Sequence, residues 1–413
     1  MVLREGFAEL LLADMYITST KYEGKMIFEF SLPMPYSKEN INKLTVINNE
    51  IEKSKIKTLF FSLPSSCELY TGFEQPRNRL IQYSDFSFWK ILMEYSLEKN
   101  FDIIYNFNLA RPVDIENPNL NIQLEKLNKI LIELQKIGIK NLRIYNMQLL
   151  EYISKYYPCF DLYVSTVTNY KTIHEFENLK ILYPQIKQIV PSQDMNKNFE
   201  LLNNIKNKLN INLEIMCNDG CVQGCINFYN HHGMTNYEDN YLYGITCTTS
   251  CEKLNIINPF IYLCRSNHVF PWDIEEYGKI GITKFKLTGR DGINDIHSSN
   301  AINLYYKYLL GIDNCKKLNY YPIVNFLNNS RIQEKFTCLT GKDIIHLMPK
   351  IQHFRKYGHL CASQCGIKCI YCYKCSKKIQ KVYEKKIKKK QDFIPACTII
   401  KNEYSGYINR PDN

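Results

Sequence analysis

The sequence predicts an α/β protein: a TIM-like (β/α)8 barrel with a cysteine-rich C-terminal extension. Three observations carry that reading. Short runs rich in Ile, Phe, Tyr, Val and Leu alternate with runs whose apolar residues recur every three or four positions, the pattern of a parallel sheet wrapped in helices. Eight such strands fall between residues 26 and 289, the number that closes a barrel. Beyond the seventh strand, and again near the chain end, cysteines gather in two dense groups.

The strands are read at 26–32, 58–63, 101–108, 141–146, 160–166, 186–191, 212–217 and 284–289, each bounded by turn-forming residues. Helices are expected at 88–99, 123–139, 147–157 and 198–209. The second ends at Gly138 with Lys136 in its last turn. Further helices are read at 300–312 and 341–358. Asp273 is expected to cap the helix opening at "DIEEYGKIG". No G-x-G-x-x-G follows an early strand, so nothing favours a dinucleotide site. The resulting organisation is a barrel over 1–312 with a cysteine-rich loop at 217–264, a helical, cysteine-rich metal-binding segment at 313–376, and a lysine-rich tail at 377–413.

The chain has 413 residues and sixteen cysteines. That many thiols fits a secreted disulfide scaffold or an intracellular metal protein. The N-terminal "MVLREGFAELLLADMYITS" has its apolar run broken by Glu9 and Asp14 and lacks the basic lead of a secretory signal. No apolar stretch is long enough for a transmembrane helix. The reading is therefore a cytoplasmic protein with reduced thiols, suited to an anaerobic setting. The formal charge is +11, and Lys374–Lys390 supplies +8 of it. The body is close to neutral. The lysine run is either a solvated helix or a docking segment for an acidic partner, nucleic acid, an electron donor or a membrane surface.

The first cysteine group comprises Cys217, Cys221, Cys225, Cys247 and Cys251, with Cys264 further on. It follows the seventh strand, at the end of the barrel where active sites are built. Thiolates are soft ligands for zinc or iron–sulfur clusters, and two C-x3-C pairs suffice for a four-thiolate site. Three-residue spacers favour iron–sulfur over zinc knuckles. His231 and His232 lie in the same loop as candidate ligands or proton carriers. Glu214, on the strand before the loop, is a candidate base or hydroxyl acceptor if it points inward, and a structural carboxylate otherwise. Arg290, after the last strand, is placed to grip a carboxylate or phosphate.

The second group sets Cys361, Cys365, Cys369, Cys372 and Cys375 within fifteen residues. Core packing does not produce that density. "CGIKCIYC" copies the C-x3-C-x2-C of radical S-adenosylmethionine enzymes, but about forty residues follow it, too few for a new barrel. An auxiliary [4Fe-4S] cluster or a structural zinc site is the reading for this group.

Four stretches together resemble the collagenase-like peptidase family (peptidase family U thirty-two). They are "VSTVTNY" (164–170), "IKQIVPSQDMN" (186–196), "LEIMCNDGC" (213–221) and "FPWDIEEYGKIGITKFKLTGRD" (270–291). The resemblance implies a TIM-like barrel. It also implies an oxygen-sensitive [4Fe-4S] cluster, carried over by position to Cys221, Cys225, Cys247 and Cys251, and oxygen-independent hydroxylation or another redox change of a small molecule, RNA or peptide. The chain departs from the family where Asn218, Asp219 and Gly220 replace its His-Gly, and where Cys217 is added. Neither a Gly-x-Ser-x-Gly elbow nor a His-Glu-x-x-His helix is present, which argues against peptidase chemistry. The alternatives are a metal-stabilised accessory or binding protein, or a radical S-adenosylmethionine-like enzyme using Cys365, Cys369 and Cys372.

Overall fold

Eight parallel strands close on themselves in the order of the chain, with β1 pairing β8. The computed structural model describes residues 26–50, 54–64, 66–74, 85–108, 120–218, 223–225, 228, 259–265, 267–287, 339, 343, 346–364 and 367–389. The elements run β1 (Phe28–Pro33), α1 (Lys38–Glu50), β2 (Ser54–Phe61), α2 (Phe86–Glu98), β3 (Asp102–Phe107), α3 (Leu120–Ile137), β4 (Asn141–Ile144), α4 (Met147–Tyr156), β5 (Asp161–Val164), α5 (Ile173–Leu182), β6 (Ile186–Ile189), α6 (Phe199–Leu209), β7 (Asn212–Met216), α7 (Pro259–Arg265), α8 (Ile274–Gly278) and β8 (Lys284–Lys286). Three helices follow: α9 (Ile351–Tyr357), α10 (His359–Ser363) and α11 (Tyr371–Lys389).

All eight expected strands form, with β2 starting earlier than its apolar run. Lys55 and Lys57 hid that start, because their long side chains leave the strand for solvent. Helix ends follow local chemistry. Asp85 caps α2 by accepting from Ser87 N at 2.8 Å, and Asn146 caps α4 by accepting from Leu149 N at 3.0 Å. Thr172 and Glu175 form a capping box at the start of α5. Gly138 ends α3 with φ +93°, a conformation that a side chain would strain.

Two expectations are corrected. The helix read over 341–358 is broken at His346–Lys350, and its regular part is α9. Pro349 is the cause: it disfavours helical geometry at Met348 and lacks an N–H to donate. Asp273 makes no side-chain capping bond to α8. The 300–312 helix and the chain after Lys389 lie outside the described residues. The helix α11 runs through the boundary drawn at 376/377.

Alternation along each strand sends one set of side chains out to the helices. Leu59, Ile103, Phe107, Leu142, Ile144, Leu162, Val164, Ile189, Leu213, Ile215 and Phe285 are buried in that layer. Trp89 of α2 stacks on Phe61 of β2 at 6.0 Å between ring centroids. Beyond the barrel, α9 and α10 pack on α6, while α11 packs on α7. Arg355 pairs with Glu276 at 3.0 Å, and His359 faces Glu200 at 3.6 Å.

Gly358 joins α9 to α10 where the chain touches the body. A Cβ there would overlap the carbonyl oxygens of Lys197 and Phe354. Gly358→Ala is expected to destabilise the chain by about 1–3 kcal/mol through overpacking. Urea denaturation of the variant, with an unchanged m-value, would check this.

Candidate functional site

A charged residue in a barrel strand faces either the helices or the closed interior. Arg143 sits between buried Leu142 and Ile144 on β4, and Glu214 between Leu213 and Ile215 on β7. The side chains are 0% and 1% exposed, and Arg143 Nη2 donates to Glu214 Oε2 at 2.5 Å. β4 and β7 are three strands apart, so the ion pair crosses the interior. Ser31 Oγ, from β1, donates to the other carboxylate oxygen, Oε1. Glu214 therefore points inward.

The neighbours are polar where barrel interiors usually carry branched apolar residues. Phe60 of β2 lies under two cations, with Lys286 Nζ 4.5 Å and Arg143 Cζ 5.6 Å from its ring centroid. Asn106 pairs in register with Arg143, and Gln188 with Tyr163. Burial pushes the Tyr163 hydroxyl up to about 12, helped by nearby Asp161 and Glu214. Arg143 Nε and Nη1 and both polar atoms of the Asn106 amide find no hydrogen-bond partner among the described residues. Buried polar atoms of this kind call for a partner.

The cysteine loop is rooted on this layer. Cys217 N donates to Lys286 O, and Val269 N donates to Cys217 O, both at 2.9 Å. Burial, then the Glu214 charge, pushes the Cys217 thiol well above its usual range, which disfavours a free thiolate there. Asp194, in the turn after β6, ties the loop down. Its Oδ1 accepts from Gly224 N and Asn267 Nδ2, each at 3.0 Å, and its Oδ2 from Lys171 Nζ at 2.6 Å. Cys225 lines a small cavity with Asp194, Lys171, Ser192 and Asn267. Cys221, Cys247, Cys251, His231, His232 and Arg290 lie outside the described residues. Cys225 offers the soft sulfur that iron–sulfur and zinc sites use, so the donor fits in kind.

The second group gathers at the α7–α11 contact. Cys361, Cys369 and Cys372 line a cavity of about 200 Å³ together with Lys197, Gln223, Ile261, Arg265, Ile370 and Tyr373. Cys264 of α7 is buried, and its thiol is pushed up by burial and by Cys372 and Cys375 of α11. His353 Nε2 lies 3.4 Å from Cys369 Sγ, and its ring stacks on Tyr371 at 3.8 Å. Gln223 Nε2, from the first loop, donates to Cys361 O at 3.3 Å. Cys365 lies outside the described residues. Among the described residues, no three His, Cys, Asp or Glu side chains are grouped to hold a single metal ion.

Several residues here escaped the sequence reading. Arg143 was signalled by a charge between the buried apolar residues of β4, whereas Lys286 lies in the Lys-Phe-Lys of β8, where alternation alone sets it apart. Glu74, in the turn after β2, accepts from Tyr105 OH at 2.6 Å and Thr71 Oγ1 at 2.7 Å, and burial raises its carboxyl. Nothing in "GFEQ" marks it as buried. Asp273 has its carboxyl pushed up to about 7 by burial, with Lys197 acting in the opposite direction.

The fold and site together define a parallel (β/α)8 barrel protein with a charged interior and a cysteine loop at the C-terminal rim of β7. Residues 116–255, about a third of the chain, match the model for peptidase family U32, so that segment is similar to this family. Among solved structures, the U32 peptidase Mk0906 is 11% identical with a TM-score of 0.41, covering 65% of this chain and 94% of that one. A mutant O-GlcNAc hydrolase from Thermobaculum terrenum is also 11% identical, with a TM-score of 0.37, covering 90% of this chain and 78% of that one. No curated protein matches the sequence.

Two outcomes follow from the buried charges. Removing one partner, as in Arg143→Met or Glu214→Leu, is expected to cost about 3–5 kcal/mol, because it strands a charge. The double variant should cost less than either single change, as urea denaturation of all four proteins would measure. Asp273 holds its proton in the folded chain up to about pH 7, whereas an unfolded aspartate releases it near about pH 4. The folded state binds more protons in that window, so this group's contribution falls as pH rises through it. Asp273→Asn should remove that fall, seen as a flatter dependence of the urea midpoint on pH.

Proposed function

We propose that this chain is an iron–sulfur-dependent barrel enzyme that modifies its substrate at the C-terminal mouth of the barrel. The step is an oxygen-independent hydroxylation, in which water supplies the oxygen and an external acceptor takes the two electrons released with two protons, or a related redox change. The observation that carries this reading is the buried Ser31–Glu214–Arg143 set directly beneath the strand end that leads into the cysteine loop. A buried ion pair costs several kcal/mol of desolvation per charge, so a hydrophobic barrel floor would serve stability as well. Its retention supports a chemical role.

Each residue has a defined task. Arg143 fixes one carboxylate oxygen of Glu214 and Ser31 fixes the other. A carboxylate accepts about four hydrogen bonds, so acceptor capacity remains for a substrate hydroxyl or proton. The unpartnered donors of Arg143 and the Asn106 amide orient polar groups of the substrate. Lys286 adds positive charge beside them. Cys221, Cys225, Cys247 and Cys251 are the residues that would hold the cluster, which supplies single electrons when bound. Peptide hydrolysis, the activity in the family's name, is not adopted, since the chain carries neither a serine elbow nor a zinc-protease helix. The match to the family model over a third of the chain supports the placement of the loop and leaves the substrate class open among small molecules, RNA and peptides.

Anaerobic purification tests this. The expected product is brown and contains iron and acid-labile sulfide. A colourless protein holding zinc alone would sink the proposal. Replacing Cys247 and Cys251 with serine should lower the iron content, and unchanged iron would overturn the ligand assignment.

A further inference from the structure

The cavity between α7 and α11 is walled by parts of the chain about a hundred residues apart. Cys361, Cys369 and Cys372 line it from the C-terminal segment. Ile261 and Arg265 of α7 line the facing wall, and Cys264 lies on the same short helix, buried against α11. Phe260 of α7 packs on Tyr383 of α11 at 5.2 Å between ring centroids, which holds the two helices together beside the thiols. Five buried or half-buried cysteines, Cys264, Cys361, Cys369, Cys372 and Cys375, thus meet at one junction.

The size of the space decides what kind of ligand it suits. A zinc ion draws four sulfurs to about 2.3 Å from itself, which leaves them about 4 Å apart with no room between. Here the thiols stand around a cavity of about 200 Å³, and no three described ligands are grouped around one point. Thiols set back around open space suit a polynuclear cluster, whose irons and sulfides fill the middle. Lys197 and Arg265 line the same cavity and favour thiolates and an anionic cluster. Lys197 Nζ also donates to Cys264 O at 3.2 Å, fixing the cation to the α7 wall. His353 approaches Cys369 Sγ from outside, positioned to hydrogen-bond a ligating sulfur.

We infer that Cys264, Cys361, Cys369 and Cys372 form a second iron–sulfur site, composed across the barrel and the C-terminal segment and separate from the loop cluster. The site has two consequences. It clips α11 to the barrel. It also sits beside the first loop, because Gln223, two residues from Cys225, bonds the Cys361 carbonyl. An electron carrier at this point would be a neighbour of the reaction centre. Neither Cys264 nor Cys375 is on the cavity wall itself, but Cys375, one turn beyond Cys372, is engaged by the Tyr371 side chain and is a packing residue, which leaves Cys264 as the fourth thiol.

The test is iron and sulfide counting on the full chain, reconstituted without oxygen using ferrous iron and sulfide. The Cys247→Ser/Cys251→Ser variant should keep about four irons and four sulfides per chain, with visible absorption. Adding Cys369→Ser or Cys264→Ser should abolish that remainder, while adding Cys375→Ser should leave it intact. Circular dichroism would confirm that each variant folds. Cys369 is half-exposed, so its replacement keeps the test available if Cys264→Ser fails to fold. A loop variant without iron, or one holding a single zinc and no sulfide, would overturn the second site. Retention of iron by folded Cys264→Ser would remove Cys264 from it. If wild type and loop variant hold the same single cluster, the second site stands and the loop assignment falls.

Discussion

The ion pair between Arg143 and Glu214 is the constraint around which the barrel is arranged. Its geometry requires β4 and β7 to face each other across a closed sheet, with Ser31 of β1 completing the set. An apolar interior would be indifferent to small changes in register. A buried pair is not, since one residue of slip in either strand would send its charge among the helices and strand the other. The polar interior therefore helps to specify closure. The outer layer of Leu, Ile, Val and Phe supplies the burial that offsets the desolvation of these charges.

The same layer governs the loops. Cys217 is bonded by backbone to β8 and to Val269, so the chain leaves β7 in a fixed direction and returns beside it. Asp194 then binds backbone, amide and ammonium groups from three separate segments. A carboxylate with this many donors acts as a fastening point, and it holds the start of the cysteine loop over the barrel mouth. The C-terminal helices extend the arrangement, with Lys197 bridging α7 and Phe354, 4.8 Å from its ring.

The lysine run has a physical form that its charge alone does not reveal. In α11, Cys372, Cys375 and Ile379 are buried while Lys374, Lys377, Lys378 and Lys381 point to solvent. The helix is amphipathic: one face anchors it at α7 and the opposite face displays the charge. Among the described residues, no helix is long and apolar enough to cross a membrane.

Strand order and fold class were legible because barrel strands are buried on their outer face and carry β-branched and aromatic residues whatever lies inside. Glu214 and the cysteine groups were legible as chemistry, since carboxylates and clustered thiols stand out in any context. Arg143, Asn106 and Lys286 were not assigned, although the first two interrupt apolar runs, because alternation tells which residues share a face and not what they meet across the barrel. Cys264 was grouped with its sequence neighbours, and only packing of α7 on α11 brought it to Cys372 and Cys375. Sequence by itself determined the local elements and the ligand types, which depend on neighbouring residues and intrinsic chemistry. Tertiary structure decided which charges pair and which thiols share a cavity, because those contacts join residues that only closure of the sheet and docking of the last helix bring together.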